Sequence, residues 1–226
     1  MLNRQNETTE VGERGSSPRD PLRALLGTGA VLVVLAAIVL LVSARRGEVL
    51  DLSGPPLPVG PVVPEFSLVE ASGRSVTRAD LHGKVWLADF VFTRCSGPCP
   101  TLSARMHALQ LALADTADVQ LVTFTLDPEN DTPAVMADYA RRFHADPRRW
   151  WFLTGKDQAT VHKFVEEGMK QTVIPAKGDQ PIIHSEYIVI IDRAGRIRAA
   201  HVGVDPESKP LILRDVRKLL AEPSGA

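Results

Sequence analysis

Residues 84–106 read Lys-Val-Trp-Leu-Ala-Asp-Phe-Val-Phe-Thr-Arg-Cys-Ser-Gly-Pro-Cys-Pro-Thr-Leu-Ser-Ala-Arg-Met, and the fold turns on them. The first half, Val85 to Phe92, is almost purely β-branched, aliphatic and aromatic, as expected of a strand buried on both faces of a sheet. Only Asp89 interrupts it. The second half holds the chain's only two cysteines, Cys95 and Cys99, and leads into Leu102, Met106, Leu109 and Leu113, which share one helical face. Pro98 and Pro100 set the helix start near Cys99, because proline is tolerated in a first turn and not in an interior. Both sulfurs therefore belong to a turn between a central strand and a helix N-terminus. The free amides and dipole there favour negative charge, so both thiols are expected to titrate low. A plain disulfide or two buried apolar cysteines are the alternatives; the strand, turn, Cys-x-x-x-Cys, helix order favours a reactive pair.

Working outward on the C-terminal side, Val119 to Leu126 reads as a second buried strand. It stops at Asp127-Pro128-Glu129-Asn130-Asp131-Thr132-Pro133, where Asp131 or Thr132 can cap a helix starting at Pro133 and running through Met136, Tyr139 and Phe143. Trp150 to Leu153 is short and apolar, Thr154-Gly155 is a turn, and Asp157 caps a helix through Val161, Phe164 and Val165. Lys170 to Pro181 is polar and proline-punctuated, hence a loop. Glu186 to Ile191 and Ile197 to Val202 flank a turn at Asp192 to Gly195, and a last helix spans Lys209 to Leu220. On the N-terminal side, Phe66 to Glu70 and Arg74 to Thr77 form a hairpin, followed by a helical turn at Arg78 to Leu81 that Gly83 ends. The sum is an α/β sheet with helices on both faces, in which chemistry gathers at the carboxyl ends of the central strands.

Further upstream, residues 1–23 are polar, charged and without apolar periodicity, and read as a disordered tail. Residues 24–43 carry no charge, and twenty residues at about 1.5 Å each span a hydrocarbon layer of roughly 30 Å. A transmembrane anchor is expected there, with a cleaved signal peptide ending near Val42-Ser43-Ala44 as the alternative. Arg4, Arg14, Arg19 and Arg23 before the span, against Arg45 and Arg46 after it, orient the C-terminal part outside the cytoplasm. Residues 44–64, with five prolines from Pro55 to Pro64, read as a stiff linker, so the domain is expected over 65–222. A net charge of −1 gives no reason to expect nucleic acid.

Of the six histidines, His107, His144 and His162 fall on predicted helices, His82 in a turn and His201 near a strand end. His184 stands just before a strand, at the mouth of the loop. If it faces Cys95 and Cys99, two thiolates and an imidazole select a soft ion, Cu(I) or Zn(II), and the lack of an evident fourth ligand favours copper. Asp89 reads equally as a proton acceptor with a raised pKa or as a buried carboxylate satisfied by the backbone or Trp86. Asp127 and Asp131 read as turn and cap residues, Met106 and Met136 as core.

Four blocks in order, Phe-Thr-Arg-Cys-Ser-Gly-Pro-Cys-Pro at 92–100, Leu-Asp-Pro-Glu-Asn-Asp-Thr-Pro at 126–133, Phe-Leu-Thr-Gly at 152–155 and His-Ser-Glu-Tyr at 184–187, resemble the Sco (SenC) copper proteins of cytochrome oxidase assembly. The resemblance implies a thioredoxin-like fold with an N-terminal hairpin extension behind a single transmembrane helix, in a bacterial cell membrane with the domain extracytoplasmic. It implies one copper, Cu(I) or Cu(II), on Cys95, Cys99 and His184. It implies delivery of that copper to the binuclear copper site of cytochrome c oxidase subunit II, or upkeep of that site's thiols, with other copper chaperones or thiol reductants as further partners. Asp89-Phe90 looks like the buried Asp-Phe of thioredoxins. The chain departs from many relatives in its Ser96-Gly97-Pro98 spacer and in Ile183, which stands where an acid often precedes the histidine and could orient it. A general extracytoplasmic thiol-disulfide oxidoreductase using the Cys95 and Cys99 redox pair is the competing function. Peroxidase chemistry ranks last, since Thr93 and Arg94 do not reproduce its activating pattern.

Overall fold

Strand β3, Val85–Val91, and strand β4, Val119–Thr125, form the buried centre of the fold, and every residue of both is buried. The computed structural model describes residues 34–35, 55–178 and 180–223. The chain divides into two units, 1–49 and 50–226, and the architecture below is that of the second. In the first, the expected anchor over 24–43 lies outside the described residues except for helical Val34 and Leu35. Among the described residues no helix is long and apolar enough to cross a membrane.

The remaining elements follow the chain: β1 (Ser67–Glu70), β2 (Ser75–Thr77), a 3₁₀ turn (Arg78–Leu81), β3, α1 (Cys99–Ala112), β4, α2 (Pro133–Arg142), β5 (Trp150–Thr154), and α3 (Gln158–Lys163), which runs into a π turn (Phe164–Gly168). Then come β6 (Val173–Ile174), β7 (Ile183–His184), β8 (Tyr187–Ile191), β9 (Ile197–Val202) and α4 (Ser208–Ala221). Seven strands make one sheet in the order β2-β1-β5-β4-β3-β8-β9. The central three, β5, β4 and β3, are parallel, while β8 runs antiparallel to β3 and β1 antiparallel to β5. The N-terminal hairpin thus extends the sheet beyond β5, and the architecture is the expected mixed α/β one.

Phe90 and Phe124 are register partners and stack at 5.8 Å; Phe66 and Phe164 cover them on that face. Side chains alternate across a strand, so the partnered Asp89 and Thr123 point to the opposite face, where α1 and α2 lie, joined by the Ser103–Tyr139 hydrogen bond of 2.9 Å. Helix α1 begins where the prolines require: Pro98 is its cap, Pro100 lies in its first turn, and Leu102, Met106 and Leu109 are fully buried.

Three sequence expectations change. The loop over 170–181 contains β6, which pairs Val173 with His184 and Ile174 with Ile183; strands of two residues leave no periodicity to read. His162 is buried, with Nε2 2.8 Å from the Leu126 carbonyl. The described half of the expected linker, 55–63, is extended but pinned: Gly60 and Val63 donate to the carbonyls of Ile197 and Gly195, and Arg198 reaches the carbonyls of Leu57 and Pro58. Arg198 also binds Asp192 and Glu222, locking the chain before the domain and the end of α4 to β9.

Candidate metal centre

The topology explains how three distant segments meet. Parallel β3 and β4 end on the same side of the sheet, which brings the turn 93–98 next to the turn 127–132. Because β8 is antiparallel to β3, its beginning lies at that same end, and His184 is three residues before it. The result is a cleft of about 320 Å³ walled by Phe92, the turn from Arg94 to Pro98, Pro181 to His184, and Glu186.

Both cysteines are free; Cys99 is buried and Cys95 half-buried. Cys99 Sγ and His184 Nε2 are 3.5 Å apart, and the imidazole meets the edge of Phe92 at 6.1 Å between ring centroids. Nδ1 of His184 is 2.9 Å from the Ser185 carbonyl oxygen. A carbonyl only accepts, so Nδ1 carries the proton and Nε2 presents its lone pair to the sulfur. A backbone carbonyl therefore does the orienting for which Ile183 offers no carboxylate. Cys95 lines the same cleft. Among the described residues no three His, Cys, Asp or Glu side chains already enclose a metal-sized space, so the formed part of the site is the Cys99–His184 pair.

The electrostatics differ from the expected ones at Cys99. Burial pushes its thiol up, and the Cys95 side chain against it adds to the rise. A helix dipole contributes at most about 1–2 kcal/mol, whereas full burial can move a pKa by roughly 3–5 units, so desolvation wins. Burial likewise lowers the His184 pKa, which keeps the ring neutral and able to ligate.

Asp89 is wholly buried, and burial pushes its pKa up to about 7 against the hydrogen bond it accepts from Thr123 Oγ1. Thr123 in turn accepts from Trp150 Nε1 at 2.8 Å; Trp86 has no part in this. Oδ2 of Asp89 has no hydrogen-bond partner among the described residues, as suits a carboxyl that keeps its proton near neutrality.

Asp131 is not the helix cap. Thr132 is, accepting from Val135 N. Fully buried Asp131 accepts from the Thr93 amide at 3.0 Å and from the hydroxyls of Thr93 and Thr125, tying the cysteine turn to the end of β4. Asp127 pairs with Arg94 at 2.8 Å across the same junction. The signals for these roles were Thr93 and Thr125, but nothing local says that they share one carboxylate.

A family model described as SCO1/SenC matches residues 56–221. A SCO1 protein homolog from Bacillus subtilis is 32% identical over 161 residues, covering 71% of this chain and 83% of the relative. Among solved structures, BsSco, described as carrying a disulfide switch and as a member of the Sco family of cytochrome c oxidase assembly proteins, is 30% identical. It has a TM-score of 0.67 over 75% of this chain and all of its own. ScoI of Bradyrhizobium japonicum, solved with copper bound, is 28% identical with a TM-score of 0.58, covering 70% of this chain and 99% of that one.

Proposed function

Because the chain belongs to the SCO1/SenC family, we propose that it is a membrane-anchored copper protein of cytochrome c oxidase assembly, in which Cys95, Cys99 and His184 hold one copper ion. The metal is copper, as in the copper-bound ScoI relative. The recipient is the binuclear copper site of oxidase subunit II, and the domain works on the extracytoplasmic side of a bacterial membrane, tethered by residues 24–43.

The observation that carries this reading is the 3.5 Å between Cys99 Sγ and His184 Nε2. Metal bonds of about 2.3 Å to thiolate and about 2.0 Å to imidazole, meeting near a tetrahedral angle, span roughly 3.5 Å. The pair is spaced as two ligands of one ion. Cys95, on the wall of the same cleft, supplies the third donor, and a two-sulfur, one-nitrogen set suits a soft cation that must later be released. In the metal-free protein the thiol and the imidazole satisfy each other.

Copper titration of the reduced chain tests this. One ion per chain is expected, with binding abolished by Cys95→Ala or Cys99→Ala and weakened at least tenfold by His184→Ala. Undiminished affinity in His184→Ala, or copper uptake by the Cys95–Cys99 disulfide form, overturns the ligand set.

A second reading, thiol-disulfide exchange, is favoured by the free dithiol lying over the same sheet face as the partnerless Asp89 Oδ2. Here a partner's disulfide is reduced to two thiols while Cys95 and Cys99 become a disulfide, and both of their protons end on the partner's thiols, that of Cys99 by way of the ionised form of Asp89. It predicts metal-free reduction of a protein disulfide that Asp89→Asn slows.

A further inference from the structure

His184 stands on a ribbon of only two residues per strand, and its neighbour Ile183 is 54% exposed, so neither the ribbon nor that side chain holds the ring. Besides the Phe92 edge and Cys99, the ring's contact at Nδ1 is the Ser185 carbonyl, which sets the tautomer, and the position of that carbonyl depends on what fixes Ser185. Two contacts do. The Ser185 amide donates to the Thr172 carbonyl at 3.0 Å, and Ser185 Oγ donates to Gln171 Oε1 at 2.9 Å.

Gln171 is itself immobilised at both ends. Its amide donates back to the Val165 carbonyl in the π turn at 3.1 Å, and its Nε2 donates to the Met169 carbonyl at 3.1 Å. The preceding Lys170 takes φ +58°, a left-handed conformation that a non-glycine residue adopts only when its surroundings impose it. That turn directs Gln171 inward, where only 8% of it is exposed. A π turn, a strained lysine and a buried amide thus converge on one serine whose carbonyl sets an imidazole tautomer. Both π turns and strained backbone concentrate at functional sites.

We propose that Gln171, acting through Ser185, is the positioning residue that aims His184 Nε2 at Cys99. This rests on the reading of Cys99 and His184 as co-ligands. Outer groups that orient a ligating histidine are worth about 10- to 100-fold in metal affinity, and since the Thr172 contact remains when Gln171 is changed, the low end applies.

The experiment uses the full chain, reduced, with Ser185→Ala, Gln171→Met, the double variant and Ser185→Thr, which retains the hydroxyl donor to Gln171 Oε1. Three quantities are read: the ring tautomer of His184 by ¹⁵N NMR of metal-free protein, Cu(I) affinity by competition with a chelator, and the reduction potential of the dithiol. The wild type should show a single Nδ1–H tautomer. Ser185→Ala and Gln171→Met should each mix the tautomers and lower Cu(I) affinity about tenfold, the double variant should lose no more than either alone, and the potential should stay unchanged. Ser185→Thr should keep both the tautomer and the affinity. An unchanged tautomer in Ser185→Ala and Gln171→Met overturns the proposal, as does a loss of copper affinity matched by an equal shift in dithiol potential, which would mean general loosening. Should the wild type take up no copper, the site reading fails, and the tautomer alone then decides whether Gln171 positions the ring.

Discussion

Replacing Asp89 by Asn should remove a pH dependence that the wild-type fold carries. Unfolded, the carboxyl titrates at its ordinary 3.8; folded, burial holds it at about 7. Between these values the native state binds a proton that the unfolded chain does not, so stability falls as pH rises from about 4 to about 7 and is level above. One pKa unit corresponds to about 1.4 kcal/mol, so between pH 5 and pH 8 the wild type should lose roughly 2–3 kcal/mol from this group alone. Asn cannot ionise. It retains an acceptor for the Thr123 hydroxyl, but its amide N–H group takes the place of the partnerless Oδ2, at a pH-independent cost of about 1–3 kcal/mol. The assay is urea denaturation of both proteins at pH 5, 6, 7 and 8 with both cysteines reduced. Subtracting the two curves cancels the groups they share, so the wild type should be the more stable at pH 5 and lose that lead by pH 8. A difference that stays constant across this range would refute the reasoning, and with it the idea that Asp89 can exchange a proton near neutrality.

Asp131→Ala should cost about 3 kcal/mol in the same denaturation assay, because the Thr93 amide and the Thr93 and Thr125 hydroxyls lose a charged acceptor; amide exchange at Thr93 should speed up accordingly. Arg198→Met leaves buried Asp192 with two backbone amides and no cation and frees the carbonyls of Leu57 and Pro58, so about 3 kcal/mol should be lost and limited proteolysis should cut within 55–63 faster than in the wild type. Gly203→Ala would set a Cβ 2.4 Å from Leu102 Cδ2 and 2.9 Å from Ile188 Cγ1; overpacking there should cost about 1–3 kcal/mol, seen as a lowered Tm.

What could be read in advance follows from which forces are local. A strand buried on both faces writes itself as an apolar run, and prolines mark a helix start, so β3 and α1 were legible to within a residue. The placement of His184 was only half legible. That it precedes a strand is local information; that this strand lies antiparallel beside β3, delivering its start to the cysteine end, is set by pairing across the sheet. Asp131 shows the same limit. Its neighbours spell a helix cap, which Thr132 duly provides, while its own carboxylate serves Thr93, thirty-eight positions earlier. Proline content reads 55–63 as part of a stiff linker, and its docking depends on Arg198, some 140 residues downstream. Gln171 carried no signal, and Ser185 none beyond its place in the His-Ser-Glu-Tyr block, since a polar loop residue and a serine are unremarkable until their hydrogen bonds are known.

The direction of the shift at Cys99 bears on which of the two chemistries the cleft favours. A thiol that attacks disulfides must spend much of its time as thiolate, and its reactivity falls when burial keeps the proton on. Cys99 is buried, and burial raises its pKa, so an attack on a disulfide falls to half-buried Cys95 rather than to Cys99. A soft metal ion meets no such barrier, because the bond it forms to sulfur compensates for removal of the proton, and neutral His184 at 3.5 Å offers a second bond without being displaced from solvent. An arrangement that keeps the inner sulfur protonated and shielded until a cation arrives protects it from chance oxidation, yet leaves half-buried Cys95 reachable by a partner. That division between an inner thiol paired with an imidazole and an outer thiol on the cleft wall fits the proposed copper site.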